Sequence, residues 1–340
     1  MKKSAAASLC VYSALHFLVD FTCAMLMFSR VKASSGLWVL AMLLYNFFAF
    51  VMQLPFGIAA DRLSRNSLVA AAGCGAVALS CFFGPFPLFA AVLAGTGNGL
   101  FHVGGGLDVL NGRGGKCAPA GIFVSPGALG LWLGTLFGSG GGFSVIPVII
   151  LIGTAVALPF AFRGNSGGGK NAEFALPAKS GTAACAAALL FAVVCIRGFA
   201  GMIFSFEWKA ELALPYILAV ALGKAAGGFA ADALGSRLTA AVSLSASALL
   251  FFFSGNAAAG LAAVFLFNMT MPLTLTAAAD ALPGMKGLSF GLMTFGLFLG
   301  FLPVYFGLSS DSVILYSAAA AVSLALIVPG LIFSERSEKK

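Results

Sequence analysis

A carboxylate, an imidazole and a guanidinium lie inside apolar runs of this chain, where no water solvates a charge. Asp20 falls near the middle of the run 7–29. His16 stands one helical turn before it and Tyr12 a further turn back, so a helix there puts all three on one face. A carboxylate four residues from an imidazole forms a proton-exchanging pair, because burial, a neighbouring charge and hydrogen bonding each bias which group holds the proton. Arg197 interrupts a second apolar run, 182–205. A charge at the bilayer centre costs at least about 2.5–3.5 kcal/mol on insertion scales, and intramembrane ionisable residues mark ion and substrate pathways. At ~1.5 Å per residue from the start of each run, Asp20 and Arg197 reach similar depth, which predicts that they face each other across a pathway. Arg197 has a second reading as the anchor of an anionic solute, since its planar fork matches carboxylate and phosphate.

Other polar residues fall in comparable places. Asn98 and His102 sit four apart in GTGNGLFHVGGG and share a face, either lining a pathway or bonding a neighbouring helix. Asn268, Thr270 and Thr274 flank Pro272, which is expected to break its helix and open a polar lining. Asn46 is a lining residue or a helix–helix hydrogen bond. Lys224 is a substrate contact or snorkels toward the membrane surface. Glu207, Lys209 and Glu211 form an expected solvated cluster. The seven cysteines include no CxxC pair and there are only two histidines, so no metal site and no cofactor are expected. The Gly-rich run around His102 follows no strand, which excludes a phosphate-binding loop.

The elements that position these residues follow from composition. Hydrophobic residues make up 60% of the 340 and charged residues 9%, with a mean hydropathy of +1.03. A soluble domain carries about 25% charged residues. The net charge of +8 is scattered singly between apolar runs, with no basic stripe, which excludes a nucleic-acid surface. Twelve runs approach the ~20 residues a spanning helix needs: 7–29, 36–60, 67–84, 87–108, 117–138, 143–162, 182–205, 212–232, 238–254, 257–279, 287–307 and 311–333. The first is read as a retained span rather than a cleaved leader, because it is long and contains Asp20. The longest polar stretch, 163–181, is rich in Gly, Ser, Asn and Lys and reads as a linker at the midpoint. This predicts a six-helix bundle over 1–162, a linker over 163–181 and a second six-helix bundle over 182–340. With the N-terminus inside, fourteen Lys and Arg fall in inner loops and three in outer loops. That bias predicts both termini and the linker on the cytoplasmic side of an inner membrane.

The halves repeat. PFGIAADRLSR from Pro55 and GGFAADALGSR from Gly227 put Asp61 and Asp232 at the ends of matching runs, 171 positions apart. Asp108 and Asp280 match in GLDVLNGRGG and AADALPGMKG, and Gly121 and Gly130 match Gly291 and Gly300. A short turn ending in Asp can dock its carboxylate on a helix N-terminus, where the dipole favours an anion, and so latch one of two bundle arrangements.

These residues resemble the major facilitator superfamily. Gly57, Asp61, Arg62 and Arg65 fit its hallmark turn after the second helix. The second copy keeps Gly228, Asp232, Gly235 and Arg237 but has Ala233 where Arg is usual. Pro126, Gly127, Gly130 and Gly134 resemble the Gly-Pro-rich fifth helix of exporters in that superfamily. His16 and Asp20 give a weaker likeness to fosmidomycin-resistance-like drug exporters, from which FHVGGG departs. The resemblance covers the whole chain and implies an all-α membrane protein of twelve transmembrane helices in two pseudo-symmetric bundles. It implies a monomeric secondary transporter that moves a small solute through a lipid bilayer. The reading made here is proton-coupled efflux, with Asp20 and His16 exchanging the proton. The first alternative is an organic-anion uniporter or symporter anchored by Arg197. The remaining one is a membrane scaffold or an intramembrane enzyme, for which no nucleophile–base constellation is evident.

Overall fold

The computed structural model describes residues 3–34, 36–162, 171–175, 177 and 180–338. Among them the chain forms twelve long helices: α1 (Ala5–Val31), α2 (Trp38–Leu63), α3 (Asn66–Phe83), α4 (Pro87–Gly112), α5 (Ala118–Ser139), α6 (Ile146–Ala161), α7 (Ser180–Ile203), α8 (Ala213–Leu234), α9 (Ser236–Phe251), α10 (Ala257–Ala281), α11 (Pro283–Tyr305) and α12 (Val313–Glu338). Each follows one of the apolar runs of the sequence, with ends displaced by a few residues. Nine are long and apolar enough to cross a membrane, and α6 and α9 are shorter apolar helices. The remaining one, α4, is 26 residues long but carries Asn98, His102, Asp108 and several glycines. Most of it is buried, so its polar groups meet protein rather than lipid. Of the expected linker, residues 163–170, 176, 178 and 179 lie outside the described residues.

Helix ends follow local chemistry. Pro87, Pro119, Pro147 and Pro283 occupy first-turn positions, where the missing N–H has no intrahelical partner to lose. α2 ends at Ser64 with φ 50°, and α8 ends at Gly235 with φ 86°, at the same place in the repeat. Pro272 interrupts the ladder of α10, which divides into Ala257–Asn268 and Thr270–Ala281.

Among the described residues two large apolar cores result, with two smaller clusters beside them. One draws mainly on α1–α6, with Leu275, Ala279 and Phe290 reaching in from the other half. The second draws on α7–α12, with Cys117 reaching in. The halves meet where glycine removes the side chain. A Cβ at Gly291 would strike the backbone of Gln53 and Leu54 on α2; a Cβ at Gly121 would strike the Lys224 carbonyl on α8. Gly121 matches Gly291 and Gln53 matches Lys224 in the repeat, so the two contacts are one contact with the halves exchanged. That exchange is the signature of a pseudo-twofold axis between two bundles. Gly57 on α2 and Gly287 on α11 approach in the same way, each facing the other's carbonyl.

Gly57→Val and Gly291→Val are therefore expected to lower the melting temperature of purified protein, as overpacking costs about 1–3 kcal/mol. Gly153→Ala, with nothing within 4 Å of the added methyl, is expected to leave it unchanged or raised. Equal melting of all three variants would show that the interface does not depend on backbone approach.

Candidate functional site

The stripe on α1 splits between two partners. Tyr12 donates from Oη to Asp108 Oδ2 at 2.6 Å, and Asn66 donates to the other oxygen of Asp108 at 2.9 Å. His16 and Asp20 instead meet α4. Asn98 donates from Nδ2 to Asp20 Oδ1 at 2.8 Å. His16 Nε2 lies 3.3 Å from Asp20 Oδ2, and His102 Nε2 lies 3.9 Å from Asp20 Oδ1. The two imidazoles approach Nε2 to Nε2 at 2.8 Å, with their rings nearly perpendicular. Asn98 and His16 are only 3% and 6% exposed, so bulk water does not serve them.

The outer nitrogens of both rings decide the chemistry. His16 Nδ1 lies 2.7 Å from the Phe123 carbonyl on α5, and His102 Nδ1 lies 2.8 Å from the Asn98 carbonyl on its own helix. A carbonyl only accepts, so each Nδ1 carries hydrogen and donates. In two neutral rings of that tautomer, both Nε2 atoms present bare lone pairs to one another. A separation of 2.8 Å is a bonding distance only with a positive species between them. The Asp20 carboxylate supplies the opposite charge beside it. Two imidazoles and a carboxylate thus converge on one buried point.

Gly127 on α5 leaves room for this cluster. A Cβ there would meet the His16 ring and lie 2.6 Å from Asp20 Oδ2. Sequence reading singles out Gly127 only for its motif; its role beside the imidazole needs the packing of α5 on α1.

Arg197 does not pair with Asp20. It is buried on α7 and donates to Thr274 Oγ1 at 3.2 Å, while the ionic partners of Asp20 are the two histidines. The depth argument placed both residues in the middle of the bundle but could not fix the direction of either side chain. Lys224 does not snorkel: its Nζ turns to the Val124 carbonyl at 3.5 Å and lies within the fields of Asp20 and Arg197. Among the described residues neither Arg197 nor Lys224 makes an ion pair. Asn268 and Thr270 bond to the carbonyls of Val264 and Phe267 on their own helix, and Thr270 is fully buried, so the α10 break does not turn them to an open lining. Asn46 reaches across to Tyr305 at the far end of α11 and joins the two halves there. Lys209 is half-buried, donates to the Phe204 carbonyl at 2.8 Å and lies over Tyr216, so the loop cluster is not fully solvated. Burial pushes its ammonium below the ordinary lysine value.

The repeated turns meet helix N-termini of the opposite half. Asp61 accepts from the backbone N–H groups of Gly287 and Leu288 at 2.8 and 2.9 Å. Asp232 accepts from those of Cys117 and Ala118 at 2.6 and 3.1 Å. The basic residues of the motif act differently. Arg62 lies over the Phe174 ring at 4.6 Å, Arg237 pairs with Glu335 within its own half, and Arg65 is exposed ahead of α3. Sequence reading missed the cross-half ion pair Arg113–Asp280 and the amide of Asn171, which donates to the Ala60 carbonyl and accepts from Asn66 and Asn111. The repeat-matched Asp280 was the available signal for the first.

No protein-family model matches the chain, and no curated protein is similar to it in sequence. Solved structures are similar in fold. One of the E. coli fucose:proton symporter FucP, a single-residue variant, superposes with a TM-score of 0.67 at 12% identity, over 99% of this chain and 100% of that one. Another of FucP, a major facilitator superfamily transporter in the outward conformation, gives 0.67 at 14% identity over 98% and 100%. A bacterial homologue of the iron transporter ferroportin in the outward-facing state gives 0.58 at 12% identity over 98% and 100%. The chain has the major facilitator fold. Within that fold the cation cluster sits between the first and fourth helices of one bundle, and the docked carboxylates join the second helix of each bundle to the other bundle. The likeness to fosmidomycin-resistance exporters finds no counterpart among these structures.

Gly127→Ala is expected to lower the melting temperature, by the same ~1–3 kcal/mol of overpacking. Adding His16→Ala, which removes the ring the new methyl meets, should recover part of that loss relative to His16→Ala alone. Strictly additive effects of the two changes would place Gly127 outside the cluster.

Proposed function

We propose that this protein is a secondary transporter that moves a small solute by alternating access, coupled to protons and working in efflux. The paired docking of Asp61 and Asp232 on helices of the opposite half carries this reading. Two matched charge-assisted contacts that close one end of a duplicated bundle serve a structure that must also open there. The positive-inside bias would make that end the cytoplasmic one. The moving bodies are residues 1–162 and 182–340, joined by the 163–181 linker. Coupling is assigned to the cluster of His16, His102 and Asp20 on α1 and α4. Rocking of the bundles would shift Lys224 relative to that cluster and change its proton affinity. One FucP neighbour is described as a fucose:proton symporter, which supports coupling in this fold and leaves efflux to rest on the exporter-like α5.

A second reading has an observation of its own. Arg197 and Lys224 are cations inside the bundle that make no ion pair among the described residues. An organic anion would neutralise both, making the protein an anion carrier.

In proteoliposomes, a solute selected by thermal shift should move against its gradient when a pH gradient is imposed. Asp20→Asn should abolish that coupled movement while leaving folded yield intact. Undiminished pH-driven flux in Asp20→Asn would refute the coupling. Movement of anions alone, insensitive to pH and lost in Arg197→Gln, would establish the second reading.

Asp61→Asn and Asp232→Asn each exchange a charged acceptor for a neutral one at a helix N-terminus, worth about 0.3–2 kcal/mol. Each should raise labelling of Cys117 by a water-soluble maleimide, because the closed end opens more often. Labelling equal to the parent protein in both variants would sink the latch.

A further inference from the structure

We propose that His16 Nε2, His102 Nε2 and the Asp20 carboxylate bind a divalent transition-metal cation. The three residues offer two nitrogens and a carboxylate oxygen within 4.8 Å of one another. Their supports are those a metal site requires. Each imidazole donates its other ring N–H to a backbone carbonyl, which leaves Nε2 as the bare ligand atom, and the carboxylate is oriented by Asn98. Imidazole and carboxylate together suit zinc, iron(II), cobalt(II) and manganese(II) rather than calcium or magnesium.

The geometry needs a small adjustment. Nitrogens bound to a metal at ~2.1 Å with tetrahedral angles lie roughly 3.4 Å apart, so the rings must separate by about 0.6 Å. Gly127 leaves the neighbouring helix without a side chain at that point. Three protein ligands leave the remaining positions to water, as in sites that exchange their occupant. A dication beside the Asp20 carboxylate brings added positive charge to the cluster. The other ionisable groups around it are Cys23 on α1, Tyr45 on α2 and Lys224 on α8. Only Lys224 opposes the added charge. This inference names the ligand of the site to which the transport reading assigns coupling, but the binding stands without that reading.

The test titrates Co2+ into the purified full chain in detergent. The expected result is one Co2+ per chain and visible absorption bands of nitrogen-ligated cobalt. His102→Gln and His16→Gln should weaken binding at least ten-fold while melting normally without metal. Lys224→Met should strengthen it, and Gly153→Ala, far from the cluster, should leave it unchanged. Absence of a saturable band, or a band that survives His102→Gln, overturns the metal site. If the histidine variants fail to fold, the strengthening by Lys224→Met decides: no change there also overturns it. Co2+ bands in a protein that moves no solute in vesicles would refute the transport reading and keep the site; latch-sensitive flux without Co2+ bands would do the reverse.

Discussion

A carboxylate facing the backbone N–H groups of a helix start is the interaction on which this architecture turns. Asp61 and Asp232 are each held by two amide donors from the first turn of a helix in the other half. Those donors have no intrahelical partner, and the helix dipole adds a partial positive charge. The contact is therefore satisfied when docked and readily replaced by water when undocked. A direct ion pair buried in lipid would be far harder to release. The glycines at Gly57, Gly287, Gly121 and Gly291 serve the same contact, because a docked carboxylate requires backbones close enough for hydrogen bonds.

The cation cluster depends on a different constraint. Polar groups away from water must find partners, and α4 carries more of them than a lipid-facing helix could bear. Its burial between neighbours gives Asn98 and His102 partners on α1. The two histidines then lock each other through the carbonyls that hold their outer nitrogens. Asp20 lies beside both rings. Lys224 stands near this cluster without joining it.

Much of the fold was legible because membrane solvation writes on sequence in long blocks. Each helix needs some twenty apolar residues whatever it packs against, so the twelve runs appear in order. The repeat was legible for a related reason: Asp61 and Asp232, or Gly121 and Gly291, occupy matched places because both halves meet the same contact from opposite sides. The sharing of a face by His16 and Asp20, and by Asn98 and His102, follows from helical spacing alone.

The rest required coordinates. Spacing fixes depth along a helix but leaves its rotation and neighbours open, so Asp20 and Arg197 could be placed at one level without being partners. Whether α1 turns its stripe to α4 or across to α7 depends on how Gly127, Gly130 and Gly134 let α5 close on α1. The tautomers of the histidines depend on the Phe123 carbonyl, 107 residues away in the chain. The sequence by itself determined the number of helices, the duplication and the carboxylates at matched turns, because these are set by hydropathy and local spacing. Only the tertiary structure decided which polar groups meet, because close helix packing is a property of surfaces brought together from distant segments.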